Sequence, residues 1–146
     1  PISQLTIPEE ETDDPLLSLQ ISPLQIARAS SAFSNGGLIP YPKLGLAVNS
    51  PKEGWIIFPS KEPIRSINRL TANQTATLLS RENFPVWEIT SSNFSNENPL
   101  HWYVSGTLPN WQASPMVLVI AFEDGTSEEA KTLGQEIMEK ILTNSN

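Results

Sequence analysis

Residues 115–142 have the sequence PMVLVIAFEDGTSEEAKTLGQEIMEKIL, and they carry the strongest structural signal in the chain. The continuously apolar run 116–122 indicates a strand that is covered on both faces. Thr126, followed three residues later by Glu129, forms a capping-box pattern that predicts the start of a helix. Apolar residues then recur every four positions, and we expect the buried stripe of this helix to be Leu133, Ile137 and Ile141.

Two further strands are predicted upstream, at residues 86–92 and 101–108. Polar or proline-containing turns separate them from each other and from the strand at 115–122, a pattern typical of an antiparallel meander. The sequence therefore predicts the α+β class, with a C-terminal helix packed on an antiparallel sheet.

The sequence of residues 43–80 predicts smaller elements of secondary structure. Strands at 43–48 and 55–58 flank a turn rich in proline and glycine, which indicates a hairpin. Thr71 and Gln74 form another capping-box pattern, so we expect a short helix from Thr71 to about Ser80.

Residues 22–42, SPLQIARASSAFSNGGLIPYP, describe a helix with defined ends. Ser22 is a favourable N-cap, and Pro23 suits the first helical position because its missing N–H has no helical partner there. Gln25 completes a capping box with Ser22. The Asn-Gly-Gly sequence at 35–37 can adopt the left-handed conformation that ends a helix.

Composition restricts the domain organisation and the function class. The 146 residues suit one domain, predicted at 16–146, after an acidic linker or extended segment at 1–15. A formal charge of −7 argues against a nucleic-acid partner. The chain has no cysteine, and its acidic run at 9–14 lacks calcium-loop spacing, so we predict no metal site and no cofactor.

No run approaches the roughly 18 apolar residues of a membrane span. Because the chain begins with Pro1 and not with Met, we expect an excised or processed piece whose membrane anchor lies outside it.

The helix and its exit resemble a segment of the transpeptidase domains of penicillin-binding proteins. That segment usually has a GQG sequence, then (T/S)PLQ, alternating alanines and Asn-Gly-Gly. Residues 17–20 stand where GQG is expected, and the matching positions are Ser22–Gln25, Ala27, Ala29, Ala32 and 35–37. Residues 101–109, HWYVSGTLP, are similar to the family strand WF(V/I)G(Y/F)-x-P, and residues 115–123 to the apolar strand after it.

The resemblance implies a partial transpeptidase-like fold over about residues 14–142. It also places the family's Lys-Thr-Gly substrate-binding strand at Ile89, Thr90, Ser91 and Ser92. In the family, the lysine offers positive charge to the substrate carboxylate, and the glycine lets the ligand approach the strand. Ile89 cannot supply that charge-assisted bond of roughly 1.5–3 kcal/mol. Ser91 adds a side chain, and Glu88 is expected to put an anion nearby, so the site is interpreted as degenerate.

The nucleophile of the family, the serine of a Ser-x-x-Lys motif, is also missing from this chain. We therefore assign no catalytic residue. His101 is the only histidine, and we expect it to be a packing or surface residue because no motif places a carboxylate or nucleophile beside it.

Three hypotheses about function remain open at this point. The preferred one is the C-terminal portion of a penicillin-binding-protein-like domain with a decayed site, serving as a scaffold or binding part of a bacterial cell-wall protein. The second is a fragment of an active D,D-transpeptidase whose Ser-x-x-Lys half lies outside this chain. The third is an unrelated small α+β binding module.

The resemblance also predicts partners and location. In the family, the strand equivalent to 115–122 is flanked by strands from the N-terminal part of the domain. Because a bare apolar edge promotes aggregation, we expect coverage by the Ile2–Ile7 segment, another copy of the chain, or the remainder of the parent protein. Peptidoglycan or other cell-wall proteins are further expected partners. The implied location is extracytoplasmic, in the periplasm or at the cell surface.

Overall fold

A computed structural model describes residues 21–43, 45–93 and 99–144. The acidic segment at 1–15 and the Ile2–Ile7 strand candidate lie outside the described residues. Within the described ranges, the elements in chain order are α1 (Pro23–Ser34), β1 (Leu38–Ile39), β2 (Ala47–Ser50), β3 (Gly54–Ile57), β4 (Ile64–Arg65), α2 (Arg69–Leu78), β5 (Val86–Asn93), β6 (Leu100–Thr107), β7 (Val117–Glu123) and α3 (Ser127–Thr143).

The centre of the fold is an antiparallel sheet with the strand order β5-β6-β7. Helices α1 and α2 supply apolar side chains to the core on one face, and α3 packs on the other face. Side chains of β7 enter both cores, Val117 and Val119 on the first face and Leu118 on the second. The predicted α+β class, with the C-terminal helix on an antiparallel sheet, is confirmed.

The first face of the sheet is organised around Trp87, which is 1% exposed. The ring of Phe33 meets its indole edge-on, with centroids 5.5 Å apart. The indole Nε1 donates a 2.9 Å hydrogen bond to Ser34 Oγ at the end of α1. A Cβ at Gly106 would lie 2.5 Å from Ser34 Oγ and 2.7 Å from Trp87 Cζ2, so only glycine permits this close approach.

The second face requires a correction to the predicted stripe of the last helix. The buried residues of α3 are Ala130, Gly134, Met138 and Leu142. The predicted stripe is wrong by one position: Leu133 and Ile141 are 41% and 37% exposed, and Ile137 is only partly buried. A Cβ at Gly134 would lie 2.1 Å from the Tyr103 ring, so α3 approaches the sheet where it has no side chain. Both stripes have four-residue spacing, and close packing on Tyr103 selects the one that contains Gly134.

The capping predictions concern the starts of all three helices, and at α3 the box of Thr126 and Glu129 is confirmed. At α1 the capping box is confirmed, because Ser22 N–H donates to Gln25 Oε1 and Gln25 N–H donates to Ser22 Oγ. At α2 the predicted cap Thr71 is wrong. Asn68 is the N-cap, and its Oδ1 accepts a 2.8 Å hydrogen bond from Thr71 N–H. An earlier residue with a short acceptor side chain therefore displaces the threonine.

The segment between α1 and α2 leaves the sheet and forms two small pairs, β1 with β4 and β2 with β3. Gly37, with φ of +89°, lies so close to Ile67 that an added Cβ would be 2.2 Å from the Ile67 carbonyl oxygen. The predicted hairpin is confirmed, although its first strand begins at Ala47 and not at Lys43. This hairpin makes its main contacts within itself.

Candidate functional site

The predicted substrate-binding strand is the outer strand β5 of the sheet. Ile89, Thr90, Ser91 and Ser92 face the β6 residues Val104, Tyr103, Trp102 and His101 in that order. Side chains alternate between the two faces of a strand, so these four positions do not form one surface. Ile89 and Ser91 share the face of Trp87, and Thr90 and Ser92 share the opposite face.

Ile89 occupies the position that the resemblance assigns to a lysine. Its side chain is 47% exposed, next to the core formed by Trp87 and Val104. It supplies no charge and no hydrogen-bond donor. Ser91, beside it on the same face, is exposed. This face of the strand can make van der Waals contact and one hydroxyl hydrogen bond.

Glu88 lies on the opposite face from Ile89, and the expectation that it places an anion beside Ile89 is wrong. Its carboxylate accepts a 2.9 Å hydrogen bond from Tyr103 Oη and bonds of 2.9 and 3.1 Å from Gln135 Nε2. Burial, and secondarily the bond to Glu88, raises the pKa of the Tyr103 hydroxyl well above its ordinary value. Glu88 therefore joins α3 to the sheet.

Ser92 and His101 form a contact that the sequence motifs do not indicate. Ser92 Oγ lies 2.7 Å from His101 Nδ1, across the β5–β6 pair. In the described part of the chain no carboxylate contacts His101, so the imidazole has no acidic group to orient it as in a catalytic triad. Only the strand register, which aligns Ser92 with His101, could have indicated this pair.

The outer edge of β5 is partly occupied. Arg81 N–H donates to Val86 O at 2.9 Å, and Glu88 N–H donates to Leu79 O at 3.0 Å. By the alternation of an antiparallel ladder, the main-chain groups of Thr90 and Ser92 also point outward. No main-chain bond from the described residues reaches them there. This short edge can pair with an extended segment through main-chain hydrogen bonds alone.

The opposite edge of the sheet is longer. Thr107 N–H donates to Met116 O at 3.0 Å, so the main-chain groups of Met116 point toward β6. From there, successive residues of β7 alternate between pointing their main-chain groups away from β6 and toward it. The N–H and C=O groups of Val117, Val119, Ala121 and Glu123 therefore point away from β6. Among the residues that the structure describes, no strand pairs with this edge of β7.

An open groove of about 390 Å³ lies between α1 and the start of β7. Its apolar lining consists of Leu24, Ala27, Pro40, Pro42, Pro115 and Val117. The groove contacts Val117, where the unpaired edge begins. Apolar side chains and main-chain hydrogen-bonding groups are thus available together at one border of the sheet.

Neither a metal centre nor a membrane-spanning helix is found among the described residues. Residues 21–43, 45–93 and 99–144 contain no group of three or more His, Cys, Asp or Glu that could hold a metal ion. Within these ranges, no helix combines the length and the hydropathy needed to cross a bilayer. The acidic run at 9–14 lies outside the described residues.

Comparison of the chain with protein-family models found no match, and comparison with curated proteins found no match either.

Proposed function

We propose that this chain is the C-terminal portion of a penicillin-binding-protein-like transpeptidase domain, non-catalytic and acting as a scaffold or binding part of a bacterial cell-wall protein. In this proposal the protein is extracytoplasmic, in the periplasm or at the cell surface, and its membrane anchor lies outside this chain. Its partners are the remainder of the parent protein and, through that protein, peptidoglycan or other cell-wall proteins.

The observation that carries the proposal is the unpaired outer edge of β7. The strand is apolar on both faces, yet among the described residues strand pairing reaches it from one side only. A strand of this kind is typical of a sheet whose two faces are both covered. A sheet that continues beyond β7 is what the resemblance predicts, because the family places strands from the N-terminal part of the domain there. The apolar groove beside Val117 offers surface to the same polypeptide.

The character of β5 supports the non-catalytic part of the proposal. Ile89 offers no charge, and Glu88, the nearest ionisable residue in sequence, is turned to the other face of the sheet. A substrate carboxylate at Ile89 would lose its water hydrogen bonds without gaining an ionic partner from this residue, which is unfavourable. The hydroxyls of Thr90 and Ser91 cannot replace a cation.

Labelling of the parent protein with a fluorescent β-lactam tests the catalytic status. We expect no covalent label, because Ile89 stands where the resemblance places the substrate-binding lysine. A label that survives denaturation would refute the decayed-site proposal and support the second hypothesis, an active D,D-transpeptidase.

Amide hydrogen exchange in the parent protein tests the covered edge. Val119 and Ala121 have outward N–H groups, whereas the N–H of Ile120 bonds to β6 and serves as the internal reference. We expect all three amides to exchange at similarly slow rates, because an additional strand covers the edge. Fast exchange at Val119 and Ala121 beside a protected Ile120 would refute strand coverage and favour an unrelated binding module.

A pair of proline variants sharpens this test. Proline at Ala121 removes only an outward N–H, so in the parent protein it removes a hydrogen bond to the covering strand. Proline at Ile120 breaks the β6–β7 ladder in any context and is the matched control. An Ala121→Pro parent that is as stable as the unmodified protein would contradict the proposal.

A further inference from the structure

Three cationic side chains converge on one cavity at the base of the β2–β3 hairpin. Arg28, Lys43 and Lys61 line a space of about 290 Å³. The rest of the lining consists of Tyr41, Pro42 and Pro59. The cations come from α1 and from the two chain segments that enter and leave the hairpin, so the tertiary structure brings them together.

The cations are held in place by neighbouring groups. Arg28 Cζ lies 5.6 Å and Lys61 Nζ 5.3 Å from the centroid of the Tyr41 ring, within the range of cation–π attraction. Arg28 Nε donates a 3.4 Å hydrogen bond to Pro40 O, and Lys43 Nζ donates to Ser60 Oγ. These contacts orient the cations without neutralising any of them.

Among the described residues, no carboxylate lines this cavity. The ion pair found among the described residues joins Arg81 and Glu139, on a different part of the molecule. The chain has nine lysines and arginines against sixteen acidic residues, so a cavity whose described lining holds three cations and no acid runs against its overall charge. Mutual repulsion of the three cations is unfavourable, and a bound anion would relieve it.

We propose that this cavity binds an oxyanion, specifically a phosphate group. Arginine offers a planar fork of donors and lysine a mobile ammonium, the two side chains that proteins use most for phosphate. The volume lies near the lower end of ligand pockets and leaves ample room for a phosphate group. This cavity adjoins the apolar groove beside β7, with which it shares the lining residues Arg28 and Pro42. Its binding of an anion does not depend on the function proposed above.

The hairpin next to the cavity bears on the source of the phosphate group. One of its faces carries the exposed apolar side chains Leu46, Val48, Ile56 and Phe58. Phe58 immediately precedes the lining residue Pro59. A phosphate group on an apolar chain could occupy both surfaces, whereas inorganic phosphate would use the cavity alone.

Titration of the full chain with inorganic phosphate, followed by residue-resolved NMR at low ionic strength, tests the site. We expect saturable shifts centred on Tyr41 and Lys61. Arg28→Gln and Lys61→Gln should each weaken binding about tenfold, through loss of a charge-assisted bond. Lys52→Gln, in the exposed hairpin turn, removes the same charge outside the cavity and should leave binding unchanged. Thermal unfolding of each variant confirms that it is folded.

A second arm uses dihexanoyl phosphatidic acid below its micelle concentration, with dihexanoyl phosphatidylcholine as the zwitterionic control. Tighter binding than inorganic phosphate, lost in Leu46→Ser, assigns the site to a lipid headgroup. Equal affinity of the two phosphate probes assigns it to free phosphate. The proposal is overturned if neither probe saturates, or if Lys52→Gln weakens binding as much as Lys61→Gln.

Discussion

The β5–β7 sheet and the β2–β3 hairpin contain similar residue types in opposite environments. In the sheet, Val86, Trp87 and Tyr103 are at most 1% exposed. In the hairpin, Trp55 and Ile57 are 72% and 78% exposed. The sheet has helices on both faces, whereas the hairpin makes its main contacts within itself.

The difference indicates that the sheet stabilises the fold, whereas the hairpin offers a surface for recognition. Burial of aromatic and aliphatic side chains supplies most of the folding free energy, and in this chain it occurs around the sheet. A two-stranded hairpin alone is at best marginally stable in water. Its exposed apolar side chains are typical of an interaction surface. The hairpin also adjoins the cavity lined by three cations.

The largest expected effect contrasts two tryptophans. Trp87→Ala should lower the free energy of unfolding by about 3–5 kcal/mol, since it empties a buried position and leaves Ser34 without its indole donor. Trp55→Ala should change it by less than about 0.5 kcal/mol, because the side chain is exposed. Urea denaturation measures both. Similar losses of unfolding free energy in the two variants would contradict the difference between the sheet and the hairpin.

The next effect tests how α3 meets the sheet. Gly134→Ala should destabilise by about 1–3 kcal/mol, because the added methyl group overlaps the Tyr103 ring. On an exposed helix surface the same change would stabilise by about 1 kcal/mol. The sign therefore distinguishes the two environments. Thr132→Ala, on the exposed side of α3, is the control and should stabilise slightly, by about 0.5 kcal/mol, through helix propensity alone.

A pH series tests the buried hydroxyl of the sheet. Burial raises the folded-state pKa of Tyr103 above the ordinary value of about 10. The folded state thus holds this proton more tightly than the unfolded state does. Its contribution to stability is complete below pH 10 and declines above it, by up to about 1.4 kcal/mol per pH unit.

Two tyrosine variants isolate this contribution from other groups that titrate at high pH. In Tyr103→Phe, the unfolding free energy should fall less steeply between pH 10 and 11 than in Tyr41→Phe, because Tyr103 no longer ionises. Denaturation at each pH gives the slopes. Parallel curves for the two variants would show that Tyr103 does not contribute to the decline.

The smallest expected effect concerns the start of α2, between the hairpin segment and the sheet. Asn68→Ala should cost about 1 kcal/mol, since it removes the acceptor of Thr71 N–H. Thr71→Ala keeps that N–H and should cost less. Thermal unfolding of the two variants compares their losses of stability. A larger loss in Thr71→Ala would identify Thr71 as the N-cap.

Much of the fold could be predicted because its signals are local. The caps at Ser22 and Thr126 depend on side chains three residues apart, and the apolar run at 116–122 indicates a strand without knowledge of its neighbours. The stripe of α3 could not be predicted in the same way. Leu133 is more apolar than Gly134, but the fit against Tyr103 favours the residue with no side chain.

The candidate site likewise has features that local sequence signals predict and features that they do not. The position of Ile89–Ser92 on a strand was predicted from the sequence pattern, whereas the outer place of that strand comes from the strand order of the sheet. The direction of Glu88 and the pairing of Ser92 with His101 could not be predicted, because they depend on the face of the strand and on the register with β6. A one-residue shift in register would change both.

The sequence by itself determined the α+β class, the ends of the first and last helices, and the absence of charge at Ile89. These properties depend on residue identity and on spacings within one or two turns of chain. Only the tertiary structure decided which stripe of α3 is buried, that the β7 edge has no partner strand among the described residues, and that Arg28, Lys43 and Lys61 share a cavity. Those properties join residues far apart in the chain, and close packing between elements, which local pattern does not encode, selects among the alternatives.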